Sequence, residues 1–201
     1  MRFLVLDASL DRSFAAMVEG EAVLAEQEAP SLHGQAATLP PLAEAVLAQA
    51  GQPDAVAVCT GPGSFTGIRT AIALAQGLAM ARSIPCLAVT VGEALTAACG
   101  PGAPVWAVTA NRRGQFFLEG AGPPRVVAAE ALPCFEAPLR LAGDGAIVAA
   151  AQLEARGDRA QLTDVRRPDA RGLADVAARR LAGDLPPRPC EPLYIEPPAT
   201  T

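Results

Sequence analysis

The sequence predicts an α/β fold in which one arrangement of strands and helices is stated twice. Three observations carry this reading. Short, continuous apolar runs at residues 3–6 and 54–59 read as strands buried on both faces. Longer segments with apolar residues at helical spacing alternate with strands after residue 35. The second half of the chain then restates the order of the first.

Taken in order, residues 3–6 form a central strand ending at Asp7. Residues 13–18 and 22–27 form two more, joined by a Glu19-Gly20 turn, so the chain opens on a three-strand meander. Residues 35–50 are helical in pattern, with Leu39, Leu42, Val46 and Leu47 on one side. Pro40 and Pro41 are easiest to accommodate if that helix begins near them. A strand at 54–59 leads through a glycine-rich loop into a helix over 67–82, followed by a strand at 86–89 and a helix at 92–99.

The second half shows a hairpin, 105–109 and 115–119, around Arg113-Gly114, and a third strand at 125–128. A strand at 139–142, a helix at 145–155, a strand at 161–165 and a helix at 169–182 follow. The tail from Leu185 is proline-rich and extended. This element order is that of the duplicated actin-like (ASKHA, ribonuclease H-like) ATPase fold. It divides into an N-terminal lobe over 1–100 and a reduced C-terminal lobe with its tail over 101–201.

Composition narrows the function. The 201 residues are 51% hydrophobic but only 18% charged, so the chain is globular. The low charge fits a surface partly covered by another protein, or equally an alanine-rich composition. A net charge of −5, without a basic run beyond paired arginines, disfavours tight RNA binding by this chain alone. Five scattered cysteines without a C-x-x-C pair indicate reduced thiols in a cytoplasm rather than a disulfide framework or zinc ribbon. The opening apolar run is too short for a signal peptide or membrane span.

The most informative stretch is Gly61-Pro62-Gly63-Ser64-Phe65-Thr66-Gly67-Ile68-Arg69-Thr70. It joins a strand to a helix, where loops of α/β sheets hold ligands. Its glycines allow sharp turns and close approach. Ser64 or Thr66 supplies a helix cap, and the helix N-terminus favours an anion. Gly61, Gly63, Ser64, Thr66 and Gly67 are therefore candidate contacts for a residual nucleotide or anion, although a plain tight turn explains them equally well. The P-loop, dinucleotide-binding and serine-elbow patterns all fail here: Ile68 replaces the P-loop lysine, and Pro62 and Thr66 occupy the elbow glycine positions.

The helix behind this loop carries no charge between Arg69 and Arg82. A surface helix should show a charged stripe. The segment is thus expected to be buried on both sides, against its sheet and against a second lobe or a second chain. Phe65, Ile68, Arg69, Ile72, Ala73, Gln76, Gly77 and Met80 are the candidate interface, and Gly77, costly in a helix, suggests close packing.

His33 is the sole histidine, so an H-x-x-x-H metal site cannot be built and no metal ligands are assigned; a local hydrogen-bonding role suits it. Asp7 ends the first strand, where actin-like ATPases keep a catalytic carboxylate, yet Asp7-Ala8-Ser9-Leu10 lacks the glycine that admits phosphate. Asp7 and Ser9 read as a degenerate phosphate turn, or as a simple capping turn.

These residues resemble a known family. The stretch Gly61 to Arg69, its apolar helix and Ile84-Pro85 are similar to the signature of the bacterial TsaB family, YeaZ-like relatives of the M22 glycoproteases. Leu4-Val5-Leu6-Asp7-Ala8-Ser9, Val91-Gly92-Glu93-Ala94-Leu95, Leu141-Ala142-Gly143-Asp144-Gly145-Ala146 and Pro192-Leu193-Tyr194-Ile195 resemble further landmarks. The likeness is specific over 54–95 and loose after 100. Ala110-Asn111-Arg112 stands where members often have Asp-Ala-Arg, Phe117 where they have Tyr, and Glu196 where they have Arg; the 120–140 region is short.

The resemblance implies a chain without catalytic residues of its own. Such a subunit serves as dimerisation scaffold for the complex that places threonylcarbamoyl on N6 of adenosine 37 in tRNAs reading codons that begin with A, and activates its catalytic paralogue TsaD. It implies TsaE, an ATPase, as a further partner, TsaC as source of the threonylcarbamoyl-adenylate, and tRNA contact only through the complex. It assigns no cofactor to this chain and leaves ATP or ADP to the interface with the partner. It places the pairing surface, with TsaD or with a second copy, on the helix after the glycine-rich loop. The competing expectations are a stand-alone glycoprotease-type peptidase and an independent ATPase.

Overall fold

The computed structural model describes residues 1–30, 35–111 and 113–195; His33, Arg112 and Glu196, singled out above, lie outside them. The first sheet comprises β1 (Arg2–Asp7), β2 (Arg12–Glu19), β3 (Ala22–Pro30), β4 (Ala55–Cys59) and β5 (Cys86–Val89), in the order β3-β2-β1-β4-β5. β1 pairs antiparallel with β2 and parallel with β4. β4, all five residues buried, is flanked by β1 and β5. That position explains its unbroken apolar run.

The second sheet comprises β6 (Val105–Ala110), β7 (Gln115–Glu119), β8 (Arg125–Ala128), β9 (Arg140–Ala142) and β10 (Gln161–Leu162). Its order, β10-β9-β6-β7-β8, is the first order read from the other end. Strand for strand, β6 to β10 repeat β1 to β5, including the two antiparallel and two parallel pairings. The duplicated actin-like plan expected from element order is present.

The helices are α1 (Gln35–Ala50), α2 (Phe65–Arg82), α3 (Val91–Ala98), α4 (Ala146–Ala155) and α5 (Ala170–Ala182). α1 begins ahead of its prolines rather than at them, so Pro40 and Pro41 sit inside the helix. Lacking N–H groups, they cannot donate to the carbonyls one turn earlier. The second half has only a 3-10 turn, Ala129–Ala131, where the first has α1, in keeping with the shortness of that region. β10 is two residues long, not the five expected.

The chain forms two compact units, Met1–Val91 with Asp169–Leu193, and Gly92–Pro168 with Tyr194 and Ile195. Helix α5, which a division at residue 100 places in the second lobe, packs on β1, β2, β4 and β5 of the first. In that first unit, Leu4, Leu6, Met17, Val56 and Val58 form one face of the sheet and bury Leu39 and Val46 of α1 with Ile68, Ala71, Ile72 and Ala75 of α2. In the second, Trp106, Val108, Phe116, Leu118 and Leu141 pack with Ala146, Ala149 and Leu153 of α4.

Candidate functional site

The chain crosses from β4 to α2 through the glycine-rich loop, which lies against the turn leaving β1. In that turn the Ser9 N–H donates to Asp7 Oδ1 at 2.8 Å. Cys59 Sγ, at the end of β4, donates to Ser9 Oγ at 3.5 Å. Asp7 is 2% exposed. Burial pushes its carboxyl above the ordinary carboxylate range, against the opposing hydrogen bonds from Ser9 and Cys59 and the charge of Arg12.

The loop then closes over the turn. Gly63, at φ +151°, brings its backbone so near that an added Cβ would lie 2.0 Å from the Ser9 carbonyl oxygen. The Ser64 N–H donates to the same oxygen at 2.7 Å. Gly61, at φ +97°, leaves room for Ile68, whose Cδ1 would sit 2.6 Å from an added Cβ. Ser64, not Thr66, caps α2: its Oγ accepts from the Gly67 N–H at 3.2 Å. Thr66 is exposed and Gly67 buried. Two of the features proposed as phosphate-binding thus make contact with each other, the loop backbone resting on the turn.

The second unit repeats the device. Gly143, at φ +108°, would place a Cβ 2.2 Å from the Val108 carbonyl oxygen of β6, and the Gly145 N–H donates to that oxygen at 3.0 Å. No local sequence pattern links Gly63 with Gly143; the repeat lies in what their backbones touch.

Helix α2 separates its residues into two stripes. Ile68, Ala71, Ile72, Ala75 and Ala79 are buried against the sheet. Ile68 and Ile72 are thus core residues of the first unit and do not lie on the outward stripe expected to meet a partner. At about 3.6 residues per turn the two fall in register with Ala75 and Ala79. The outward stripe is Phe65, Arg69, Ala73, Gln76, Gly77 and Met80, all exposed, with Phe65 at 59% and Met80 at 82%. The Arg69 guanidinium lies 3.6 Å from the centroid of the Phe65 ring, so the one charge of the stripe is folded over an aromatic face. Among the described residues, a Cβ on Gly77 would meet nothing within 4 Å; they do not make the close packing expected there.

Sequence reading missed the flank of this stripe. Leu74 and Leu78 of α2 line, with Pro40, Ala43 and Leu47 of α1, an open groove of about 410 Å³ that Glu44 and Arg82 also line. The signal was available, since Leu74 and Leu78 are spaced one turn apart and fall outside the core stripe. Among the described residues no group of three His, Cys, Asp or Glu side chains comes together as a metal site, and no helix is long and apolar enough to cross a membrane.

A family model described as TsaD: tRNA N6-adenosine threonylcarbamoyltransferase matches residues 29–160. The chain belongs to this family. Within it the chain is of the TsaB/YeaZ type. It is 34% identical over 95 residues to the tRNA threonylcarbamoyladenosine biosynthesis protein TsaB of Haemophilus influenzae, a match spanning 45% of this chain and 39% of that protein. A crystal structure of an uncharacterised Pseudomonas aeruginosa protein similar to peptidase YeaZ superposes with a TM-score of 0.76 at 27% identity, covering 97% of this chain and 99% of the other. YeaZ from Pseudomonas aeruginosa superposes at 0.74 and 25% identity, covering 96% and 100%. The segment matched by the family model contains β4, the glycine-rich loop and the whole of α2, so the outward stripe lies on an element this TsaB/YeaZ-type chain shares with the wider family.

Proposed function

We propose that this chain is the non-catalytic scaffold subunit of a tRNA threonylcarbamoyladenosine (t6A) complex. It pairs with TsaD and activates TsaD for transfer of threonylcarbamoyl to N6 of adenosine 37. The observation that carries the reading is the outward stripe of α2. Phe65 and Met80 expose apolar surface, Ala73 and Gly77 offer no side-chain bulk, and Arg69 is the one charge. The 18 residues of α2 span about 27 Å, a length suited to helix-against-helix contact. Small residues allow axes to approach to about 8 Å, and burial of Phe65 and Met80 contributes about 25 cal/mol per Å² of apolar surface removed from water.

The chemistry is assigned to the partner. Asp7 is buried with its Oδ1 engaged by the Ser9 N–H, Ser64 is engaged as a helix cap, and the loop occupies the turn at Ser9. In this reading ATP or ADP belongs to the interface with TsaD, TsaE is a further partner, tRNA is met through the complex, and the isolated chain uses the same stripe to pair with a second copy. The net charge of −5 agrees with indirect tRNA contact. The expected location is the cytoplasm.

The test is reconstituted transfer. TsaD supplied with threonylcarbamoyl-adenylate, ATP and tRNA is expected to modify the tRNA only when this chain is added. Modification at an equal rate without it would remove the activating role. Peptide cleavage by the purified chain, abolished by Ser64→Ala, would instead support a peptidase.

A further inference from the structure

Cys86 opens β5, and Cys190 lies 104 residues later in the strap that follows α5. Their sulfurs are 3.4 Å apart. Both side chains are half-buried and packed against the apolar core of the first unit. The strap is held in place by hydrogen bonds from several directions. Arg180 Nε donates to the Pro186 carbonyl at 2.9 Å, and Arg180 Nη1 donates to the Ala88 carbonyl of β5. The Leu193 N–H donates to the Thr60 carbonyl at 2.8 Å, and Gln76 of α2 donates to the Cys190 carbonyl at 3.0 Å. The two thiols therefore face each other on segments already fixed at both sides. Their sulfurs need to close by about 1.4 Å to reach bonding distance.

We propose that Cys86 and Cys190 form a redox clasp, in which a peroxide oxidises the pair to a disulfide that fastens the C-terminal strap to β5. The two thiols are inequivalent, which sets the order of steps. In the neutral pair, Cys190 Sγ donates to Cys86 Sγ and, at 3.4 Å, to the Cys86 carbonyl. Once Cys190 ionises, the Cys86 thiol becomes the donor; that hydrogen bond, with the charge of Arg180, holds Cys190 below the ordinary thiol range despite burial. The same pairing and burial push Cys86 up.

The Cys190 thiolate attacks one peroxide oxygen. The O–O bond breaks, a pair of electrons passes from sulfur to peroxide, hydroxide leaves, and Cys190 becomes a sulfenic acid. The Cys86 sulfur then attacks the Cys190 sulfur. The S–O bond breaks, and the departing hydroxide takes the Cys86 proton as water. With the proton Cys190 released on ionising, two thiols and one peroxide yield one disulfide and two waters. Cys59 is excluded from this chemistry: it is buried, and burial raises its thiol well above the ordinary range.

The test is made on the full chain. It is treated with hydrogen peroxide at near-stoichiometric amounts, quenched, unfolded, alkylated and mapped by mass spectrometry. Expected are the loss of alkylation at Cys86 and Cys190 together, a linked peptide pair containing both, recovery of both sites with dithiothreitol, and an upward shift in unfolding temperature before reduction. In Cys86→Ser the sulfenic acid at Cys190 lacks its partner and, given a second equivalent of peroxide, is oxidised on to sulfinic acid. Undiminished alkylation of Cys86 and Cys190 while exposed Cys134 oxidises would overturn the proposal, as would linked peptides that join other cysteines.

Discussion

Gly63 rests on Ser9: the Cβ that Gly63 lacks would stand 2.0 Å from the Ser9 carbonyl oxygen. Through this contact the glycine-rich loop closes over the turn at the end of β1. Gly63→Ala is therefore expected to lower the unfolding free energy by on the order of 3 kcal/mol, from the clash and the unfavourable φ together. Gly77→Ala should do the opposite. Its Cβ meets nothing within 4 Å and its backbone is helical, so a gain of about 1 kcal/mol is expected. Urea unfolding of both variants checks the pair; equal effects of one sign would contradict it.

The two stripes of α2 predict a separation of stability from pairing. Ile72 is buried in the core, so Ile72→Ala should cost about 2–5 kcal/mol. Met80, at 82% exposure, should tolerate Met80→Ala within about 0.5 kcal/mol while its pairing with TsaD weakens. A stability loss at Met80 like that at Ile72 would show that the stripe is covered within the chain.

Ser64 is expected to matter as a cap. Removing its Oγ frees the Gly67 N–H, so Ser64→Ala should cost about 1 kcal/mol and leave reconstituted transfer by TsaD unchanged at saturating chain. Loss of transfer without loss of stability would give Ser64 a direct part in the chemistry.

Asp7 makes stability depend on pH in a stated direction. Its carboxyl is raised from the ordinary 3.8 by burial, so the folded chain holds this proton more tightly than the unfolded one. The stabilisation this gives is complete below the ordinary value and is lost as pH rises through the raised one. Asp7→Asn keeps an acceptor for the Ser9 N–H and abolishes the titration. Across a series of urea unfolding curves, the variant should gain on the wild type as pH climbs above 3.8 and then hold a constant lead. A difference that does not vary with pH would refute the buried-proton account.

Much of this architecture was legible in the residues, and the gaps have physical causes. The apolar runs of β1 and β4 and the meander ahead of α1 are local patterns, so these strands and their succession along the chain followed from them. The charge-free run of α2 showed that one face lacks a charged stripe, but charge alone did not separate Ile68 and Ile72 from Ala73 and Gly77; the helical register does. The contact of Gly63 with Ser9 joins segments distant in sequence and leaves no local signal beyond the glycine itself. The docking of α5 on the first sheet was hidden for the same reason. β10 is confined to Gln161–Leu162, both exposed, at the edge of its sheet against the three-residue β9.

The measurement that bears most directly on the whole account is a calorimetric titration of TsaD with the wild-type chain and with Gly77→Arg. Gly77 lies on the exposed stripe with open space before it, so the substitution should leave the fold intact and, as with Gly77→Ala, raise rather than lower the unfolding temperature. The account predicts saturable binding by the wild type and affinity at least about tenfold weaker for the variant, a difference of about 1.4 kcal/mol. Equal affinity of the two chains for TsaD would contradict it.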